Sequence, residues 1–311
     1  MLLPLFTILL MVPMCSSAGN KLLFIVSFYP LIHEMIGRSA GWYADALLPI
    51  LGIRTKRADQ IMSYSNFDQV LKDLRSLNQA IEDIRQKIVT VSGVSYRSQD
   101  ARHVALDGLQ CDIDACGNWI RVLMSLKGLS QEKYGDNWEE EYRKLIGTGL
   151  SSGQAEDLML DYLRNTLTTK VHFKIENLFS NILKALSVSP NSSGFWHISN
   201  AMLQQASIPT TGPEKNTLTV LANLRNSFHA NGMHNKDSLS VYIDGIRFEF
   251  CKGIRVECAS WKHIVVIIRA NISVLESVLF SNTVSNLRDE LPDAFARRLW
   301  RTLPDEIALG Q

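Results

Sequence analysis

Apolar residues recur at helical spacing through most of the chain. In residues 68–91 they repeat at steps of three and four, with charged residues between them, which predicts an amphipathic helix. The same spacing predicts a second helix over residues 101–126, with Gly128 as its stop. A short helix is predicted to begin at Asp136 and to end near Gly147. The first half of the chain is therefore predicted to be helical.

The second half begins with a longer helical pattern, over residues 154–186. Its apolar surface is predicted to come from Leu158, Leu160, Leu163, Leu167, Val171, Phe173, Ile175, Leu178, Ile182 and Leu186. A shorter helix over residues 195–207 follows, and Pro213 is suited to the first turn of the next one. Asn231-Gly232 tolerates positive φ angles and is predicted to end that helix.

A change from helical to alternating periodicity marks a β-hairpin. The stretches LSVYI (239–243) and IRFEF (246–250) alternate apolar and polar residues around Asp244-Gly245, a favoured two-residue turn. A long apolar helix beginning at Trp261 follows. The predicted fold is mainly α: an up-down helical bundle with one short β-hairpin after the helix that begins at Pro213. A separate helical N-terminal region is predicted to precede this bundle.

Composition shifts divide the chain into four predicted segments. Residues 1–18 form an apolar N-terminal segment, and residues 19–150 a helical region of unknown role. The small residues around 148–153 predict a boundary, so that a helical domain occupies residues 151–290. Residues 291–311 form a C-terminal tail.

The N-terminal segment bears on the location of the protein. Residues 2–12 are almost purely apolar, and Ser16 and Ala18 occupy the −3 and −1 positions of a signal-peptidase site before Gly19. No Lys or Arg precedes the apolar run, however, which argues against a signal peptide. Three interpretations stay open: a signal peptide, a membrane-associated N-terminal hairpin, or buried helices. We predict a cytoplasmic protein, with secretion or membrane association as the alternative.

Composition limits the classes of chemistry. Hydrophobic residues make up 46% and charged residues 20% of the 311, which is typical of a globular protein. A net charge of +1 provides no overall field toward nucleic acid or membranes. The five cysteines are too few for a disulfide framework and lack zinc-site spacing. No GxGxxG, P-loop or GxSxG motif occurs, so no cofactor and no metal is predicted.

The candidate chemistry lies in one stretch, LRNSFHANGMH, at the end of the helix from Pro213. Arg225 and His229 are four residues apart, so their side chains lie on the same helical face. Asn226 follows the arginine, and His234 lies beyond the Gly232 turn. Histidine can move a proton near neutral pH, and a guanidinium offers paired donors to a phosphate. We predict Arg225 and His229 as catalytic residues, with Asn226 and His234 as orienting or accessory residues.

The order of elements around this motif resembles the HEPN superfamily, named for nucleotide-binding domains in higher eukaryotes and prokaryotes. The resemblance covers about residues 154–284: a long helix, the motif helix with LRNSFH, the hairpin with GIRFEFCKG, and the closing helix. It implies a metal-independent endoribonuclease of bacterial toxin or phage-defence type, acting through Arg225 and His229. In the family the arginine and histidine are usually separated by four to six residues, whereas three separate them here.

Two hypotheses therefore stay open. In the first, the chain cleaves RNA as a homodimer whose motif helices share a site, and an antitoxin or another regulatory protein controls it. In the second, it is a non-catalytic HEPN-like interaction or RNA-binding module, which the N-terminal segment could tether to a membrane. Between residues 215 and 269 basic residues outnumber acidic ones by eight to four, which favours RNA only slightly.

Overall fold

A computed structural model gives the fold. It describes residues 67–92, 96–97, 99–146, 151–287 and 290–293. The predictions for the N-terminal apolar segment and for most of the C-terminal tail lie outside these residues. No helix in the described part of the chain is long and apolar enough to cross a membrane.

The described residues are mainly helical, with one two-stranded antiparallel sheet, as the periodicity predicted. The helices are α1 (Phe67–Lys87), α2 (Ala101–Tyr134), α3 (Trp138–Ile146), α4 (Ser152–Ala185), α5 (Phe195–Gln205), α6 (Pro213–His229), α7 (Trp261–Leu279) and α8 (Asn282–Ser285). The strands are β1 (Leu239–Ile243) and β2 (Ile246–Phe250). A π-helical turn, Ile88–Ser92, extends α1, and a 3₁₀ turn, Gly135–Asn137, separates α2 from α3.

The prediction that Gly128 stops the second helix is wrong. Helix α2 continues through Gly128 to Tyr134, and Gly135 follows with a φ of +52°. A glycine inside a helix costs only about 1 kcal/mol relative to alanine, which the other residues of a 34-residue helix can offset. The positive φ of Gly135 is a stronger stop, because it lies outside helical backbone geometry. The predicted end of the next helix, near Gly147, lies outside the described residues.

The chain forms two compact units, and both α2 and α4 contribute to each. Among the described residues, one unit includes those between 125 and 158, and the other includes those between 67 and 124 and those from 159 to 293. Helix α1 thus belongs to the same unit as the motif helix α6, whereas the sequence placed a boundary near residue 151. Independent folding of residues 151–290 stays a prediction.

Within the larger unit, α1 packs on α7. The apolar residues that recur at steps of three and four in α1, and Ile88 in the turn after it, are buried: Val70, Leu71, Leu74, Leu77, Ile81, Ile84 and Ile88. They join one core cluster with the inner faces of α4, α6 and α7. An ion pair of 2.6 Å between Lys87 and Glu276 lies between α1 and α7. Helix α1 therefore helps to complete the core on which the motif helix rests.

The hairpin forms at the predicted residues. Asp244 and Gly245 have φ angles of 48° and 74°, and Ile243 pairs with Ile246 across them. Phe248 and Phe250 are fully buried, so one face of the hairpin is part of the core.

At the end of α6, Gly232 has a φ of +84°, and a Cβ there would lie 3.3 Å from the Nε of Arg255. Glycine is therefore required where the chain leaves the motif helix.

A buried ion pair joins the start of α2 to the end of the described chain. Asp100 and Arg102 each have 2% of the side chain exposed, and the nearest nitrogen and oxygen are 2.7 Å apart. Arg102 also donates a hydrogen bond to the Leu287 carbonyl, and the Leu291 amide donates one to Asp100. The Tyr96 ring covers the guanidinium at 4.0 Å. The two hydrogen bonds connect residues that are 185 and 191 positions apart.

The smaller unit is held by polar contacts around a buried tyrosine. Tyr142 of α3 is fully buried, and Lys127 forms a 3.0 Å ion pair with Glu156. Glu139 accepts a hydrogen bond from the Ser152 hydroxyl at 3.2 Å. These contacts join α4 to α2 and to α3 within this unit.

Candidate functional site

The last two turns of α6 present Arg225 and His229 on one face, as their four-residue spacing predicts. Leu221 and Leu224 on the neighbouring face are fully buried and fix the orientation of the helix. Arg225 is half-buried, and His229 is exposed. The motif therefore combines a guanidinium held at the edge of the core with an imidazole that solvent can reach.

Arg225 is positioned by its neighbours in sequence and in space. Its Nη1 donates a 3.0 Å hydrogen bond to Oδ1 of Asn226. Its guanidinium carbon lies 5.1 Å from the centroid of the Phe173 ring of α4, within the range of a cation–π contact. Its Nε is buried and has no hydrogen-bond partner among the described residues. The predicted orienting role of Asn226 agrees with this contact and stays a prediction.

Helix α4 places His172 and Glu176, which are also four residues apart, near Arg225. His172 is 3% exposed, and its ring centroid lies 4.2 Å from that of Phe195 on α5. Its Nδ1 is 3.6 Å from Oε2 of Glu176, which is too long for a hydrogen bond. This nitrogen, like Nε of Arg225, is buried without a partner in the described part of the chain.

Arg225, His229, His172 and Glu176 form one cluster, and the charges of its two histidines and its carboxyl group depend on burial and on Arg225. Burial, together with smaller contributions from the nearby Arg225 and His229, lowers the pKa of His172 to about 3. Burial raises the pKa of Glu176, and Arg225 partly opposes that shift. Although the His172–Glu176 distance is that of a loose ion pair, His172 is neutral at pH 7. The contact is therefore one between a carboxyl group and a neutral imidazole.

His229 is also neutral at physiological pH. Partial burial lowers its pKa below the usual 6.5, and the positive charge of Arg225 one turn away lowers it further. A neutral imidazole can accept a proton, and here the arginine favours the neutral form. The spacing that predicted a shared face thus also produces a proton acceptor beside a fixed cation.

His234 occupies a different environment. It is 2% exposed, and its Nε2 donates a 2.9 Å hydrogen bond to the Asp237 carbonyl. Its ring lies 5.2 Å from that of Phe250, and its backbone amide donates to the Ile254 carbonyl. These contacts attach the turn after α6 to the hairpin. Among the described residues, no contact brings His234 to Arg225 or His229, so its accessory role in chemistry stays a prediction.

Sequence reasoning missed the α4 side of this cluster. The position of His172 among the apolar residues of the long helix predicts a buried or boundary residue, and it is buried, but the sequence does not predict its proximity to Arg225. The available signal was the four-residue spacing of His172 and Glu176, which repeats that of Arg225 and His229. Phe173 was assigned to the apolar surface of the long helix, whereas 47% of it is exposed.

Within the described residues, no group of three or more His, Cys, Asp or Glu side chains is placed to hold a metal ion. No family model, no curated protein and no solved structure matches the chain. The geometry of these residues is therefore the basis for a functional proposal.

The buried His172 predicts an acid sensitivity of the fold. Its pKa is lower in the folded than in the unfolded chain, so the unfolded chain binds more protons between pH 6.5 and about 3. We expect the free energy of unfolding to fall as pH decreases through this window, and to fall less in a His172→Gln variant. The raised pKa of Glu176 acts in the opposite direction, but Glu176 is present in both proteins.

Urea unfolding at pH 7 and pH 4.5 measures how much the free energy of unfolding of each protein changes with pH. His197, an exposed histidine of α5, supplies the control, since His197→Gln should leave the pH dependence of the wild type unchanged. Equal pH dependence in the His172→Gln variant and the wild type would contradict a buried neutral His172.

Proposed function

We propose that the chain is a metal-independent endoribonuclease in which Arg225 and His229 act on one phosphodiester. The observation that supports this most is their arrangement at the end of α6. An exposed histidine, neutral at pH 7, lies one helical turn from a guanidinium that is held by Asn226 and Phe173. The HEPN resemblance of the sequence points to the same two residues.

The chemistry follows from these groups. His229 takes the proton of a ribose 2′-hydroxyl, whose oxygen then forms a bond to the adjacent phosphorus. Arg225 stabilises the negative charge that develops on the phosphoryl oxygens. The bond from phosphorus to the 5′-oxygen breaks, and that oxygen takes up a proton. The products are a 2′,3′-cyclic phosphate and a 5′-hydroxyl.

An RNA cleavage assay in excess EDTA tests this proposal. We expect the purified chain to cut single-stranded RNA and to leave cyclic phosphate ends. The same sequence with 2′-deoxyribose should stay intact, because the attacking oxygen is absent. Cleavage that EDTA abolishes, or that proceeds on the 2′-deoxy strand, would rule out this mechanism.

The proposal includes a homodimer. The reaction needs a proton donor for the leaving oxygen, and His172 cannot supply one at pH 7 because its pKa is about 3. A second copy of His229, contributed across a dimer axis, would supply it, because the negative charge of the bound phosphate favours the protonated form of one of the two imidazoles. Leu221 and Leu224, the apolar residues next to the motif on α6, do not provide the dimer surface, because both are buried within one chain.

Light scattering at micromolar concentration measures the oligomeric state. We expect the mass of two chains. When His229→Ala chains are mixed with an excess of wild type, the cleavage activity should fall in proportion to the fraction of dimers that contain one chain of each kind. A strict monomer that still cleaves RNA would contradict the shared site.

A second candidate, a non-catalytic HEPN-like module, is favoured by one observation. Glu176 lies close enough to Arg225 for the two to influence each other, and a carboxylate there disfavours a bound phosphate. Growth of bacteria that express the chain distinguishes the two functions. A toxin or defence ribonuclease, which an antitoxin or another regulatory protein would hold in check, should stop growth as wild type and not as His229→Ala. A binding module should give the same growth with both.

A further inference from the structure

We infer that Phe173 is a stacking platform for a nucleobase next to the scissile phosphate, an inference that rests on the proposed ribonuclease function. Phe173 lies between His172 and Glu176 in sequence, on the turn of α4 that faces Arg225. It is 47% exposed although it lies on a helix that contributes a continuous row of buried side chains to the core. An exposed aromatic ring that also contacts the candidate catalytic arginine is suited to bind a base beside the phosphate.

The geometry gives the ring two different surroundings. The Arg225 guanidinium carbon lies 5.1 Å from its centroid, and the His172 ring lies 5.9 Å away, nearly perpendicular to it. These neighbours hold the ring against the protein, and the remaining surface is open. Single-stranded RNA is commonly bound by bases that stack on exposed aromatic side chains and on arginine planes.

Charge favours a base over a phosphate on this surface. Glu176 is one turn along α4 from Phe173, so a phosphate placed on the ring would approach a carboxyl group. A base is uncharged and can lie on the ring while its own phosphate reaches the Arg225 guanidinium. The stack would therefore fix the nucleotide whose phosphate Arg225 holds, and contribute to substrate binding more than to the chemical step.

Two oligonucleotides of equal length separate base stacking from phosphate binding. Both carry 2′-fluoro sugars, which have no attacking hydroxyl, so that binding is measured without cleavage. One has bases, and the other is abasic with the same number of phosphates. Because stacking on one aromatic ring is worth about tenfold in affinity, we expect the wild type to bind the base-containing strand about tenfold more tightly.

Variants of Phe173 then assign this preference. In Phe173→Leu we expect the ratio of the two affinities to fall close to one, and in Phe173→Trp to stay at or above the wild-type value. Leucine is a good helix former at a half-exposed position, and circular dichroism verifies that α4 is intact. Tyr242→Leu, at an aromatic residue of β1 that is 71% exposed, serves as the matched control and should keep the wild-type ratio.

The outcomes for stacking and for cleavage are distinct. A ratio near one in the wild type, or a ratio that Phe173→Leu leaves unchanged, overturns the stacking platform even if the chain cuts RNA. A chain that prefers bases through Phe173 but cuts no RNA supports the platform and overturns the ribonuclease alone. On cleavable RNA, we expect Phe173→Leu to raise KM about tenfold and to lower kcat by less, because the ring also helps to hold Arg225. A loss of kcat with KM unchanged would contradict a binding role.

Discussion

Replacement of His229 by alanine is expected to lower the rate of RNA cleavage by about 10²–10⁴-fold, the contribution typical of a general acid–base group. His229 is exposed at the end of α6, so the substitution removes the proton acceptor without opening the core. Arg225→Lys should also lose most activity, because an ammonium cannot reproduce the planar fork that contacts both Asn226 and the Phe173 ring. Single-turnover cleavage of a labelled RNA in EDTA measures both effects.

The control for this prediction is another exposed histidine. His197→Ala on α5 should leave the cleavage rate unchanged. His234 is a less suitable control, because it is buried and its ring donates to the Asp237 carbonyl, so its replacement tests the stability of the turn. A cleavage rate that neither His229→Ala nor Arg225→Lys reduces would mean that these residues form no ribonuclease site.

The substitution Asp100→Ala is expected to cost about 3–5 kcal/mol of unfolding free energy, because it leaves the buried guanidinium of Arg102 without its carboxylate. Asp100 also accepts hydrogen bonds from the backbone amides of Arg102 and Leu291, so two buried donors lose their acceptor. For a unit of this size the melting temperature should fall by about 10 °C or more. Thermal and urea unfolding followed by circular dichroism measure the loss.

An exposed ion pair in the same region provides the comparison. Arg97 and Glu290 are 3.6 Å apart, with 84% and 36% of their side chains exposed. Glu290→Ala should therefore change the unfolding free energy by less than about 1 kcal/mol. A similarly small effect of Asp100→Ala would show that the buried pair does not hold Leu287 and Leu291 to the start of α2.

Periodicity and turn chemistry in the sequence determined most of the secondary structure. The strands 239–243 and 246–250 and the turn between them lie where alternation and Asp244-Gly245 predicted them. Such features depend on neighbours within a few residues, so local patterns specify them. The error at Gly128 has the same origin. A single glycine is a weak local signal, and the rest of a long helix overrides it.

The sequence also determined the pairing of Arg225 with His229, since residues four apart on a helix share a face regardless of the surrounding fold. Their chemical difference from His234 followed in part from Gly232, whose positive φ turns the chain toward the hairpin. Periodicity within α6 and the turn after it were sufficient for these inferences.

Only the tertiary structure decided which residues of other helices meet this pair. His172, Phe173 and Glu176 lie some fifty residues before Arg225, and their contact with it depends on how α4 and α6 pack within one unit. The low pKa of His172 and the exposure of Phe173 are likewise products of packing, because burial and nearby charge are properties of the folded chain. A one-dimensional pattern assigns each residue to a face of its own helix, whereas the arrangement of the helices decides what that face contacts.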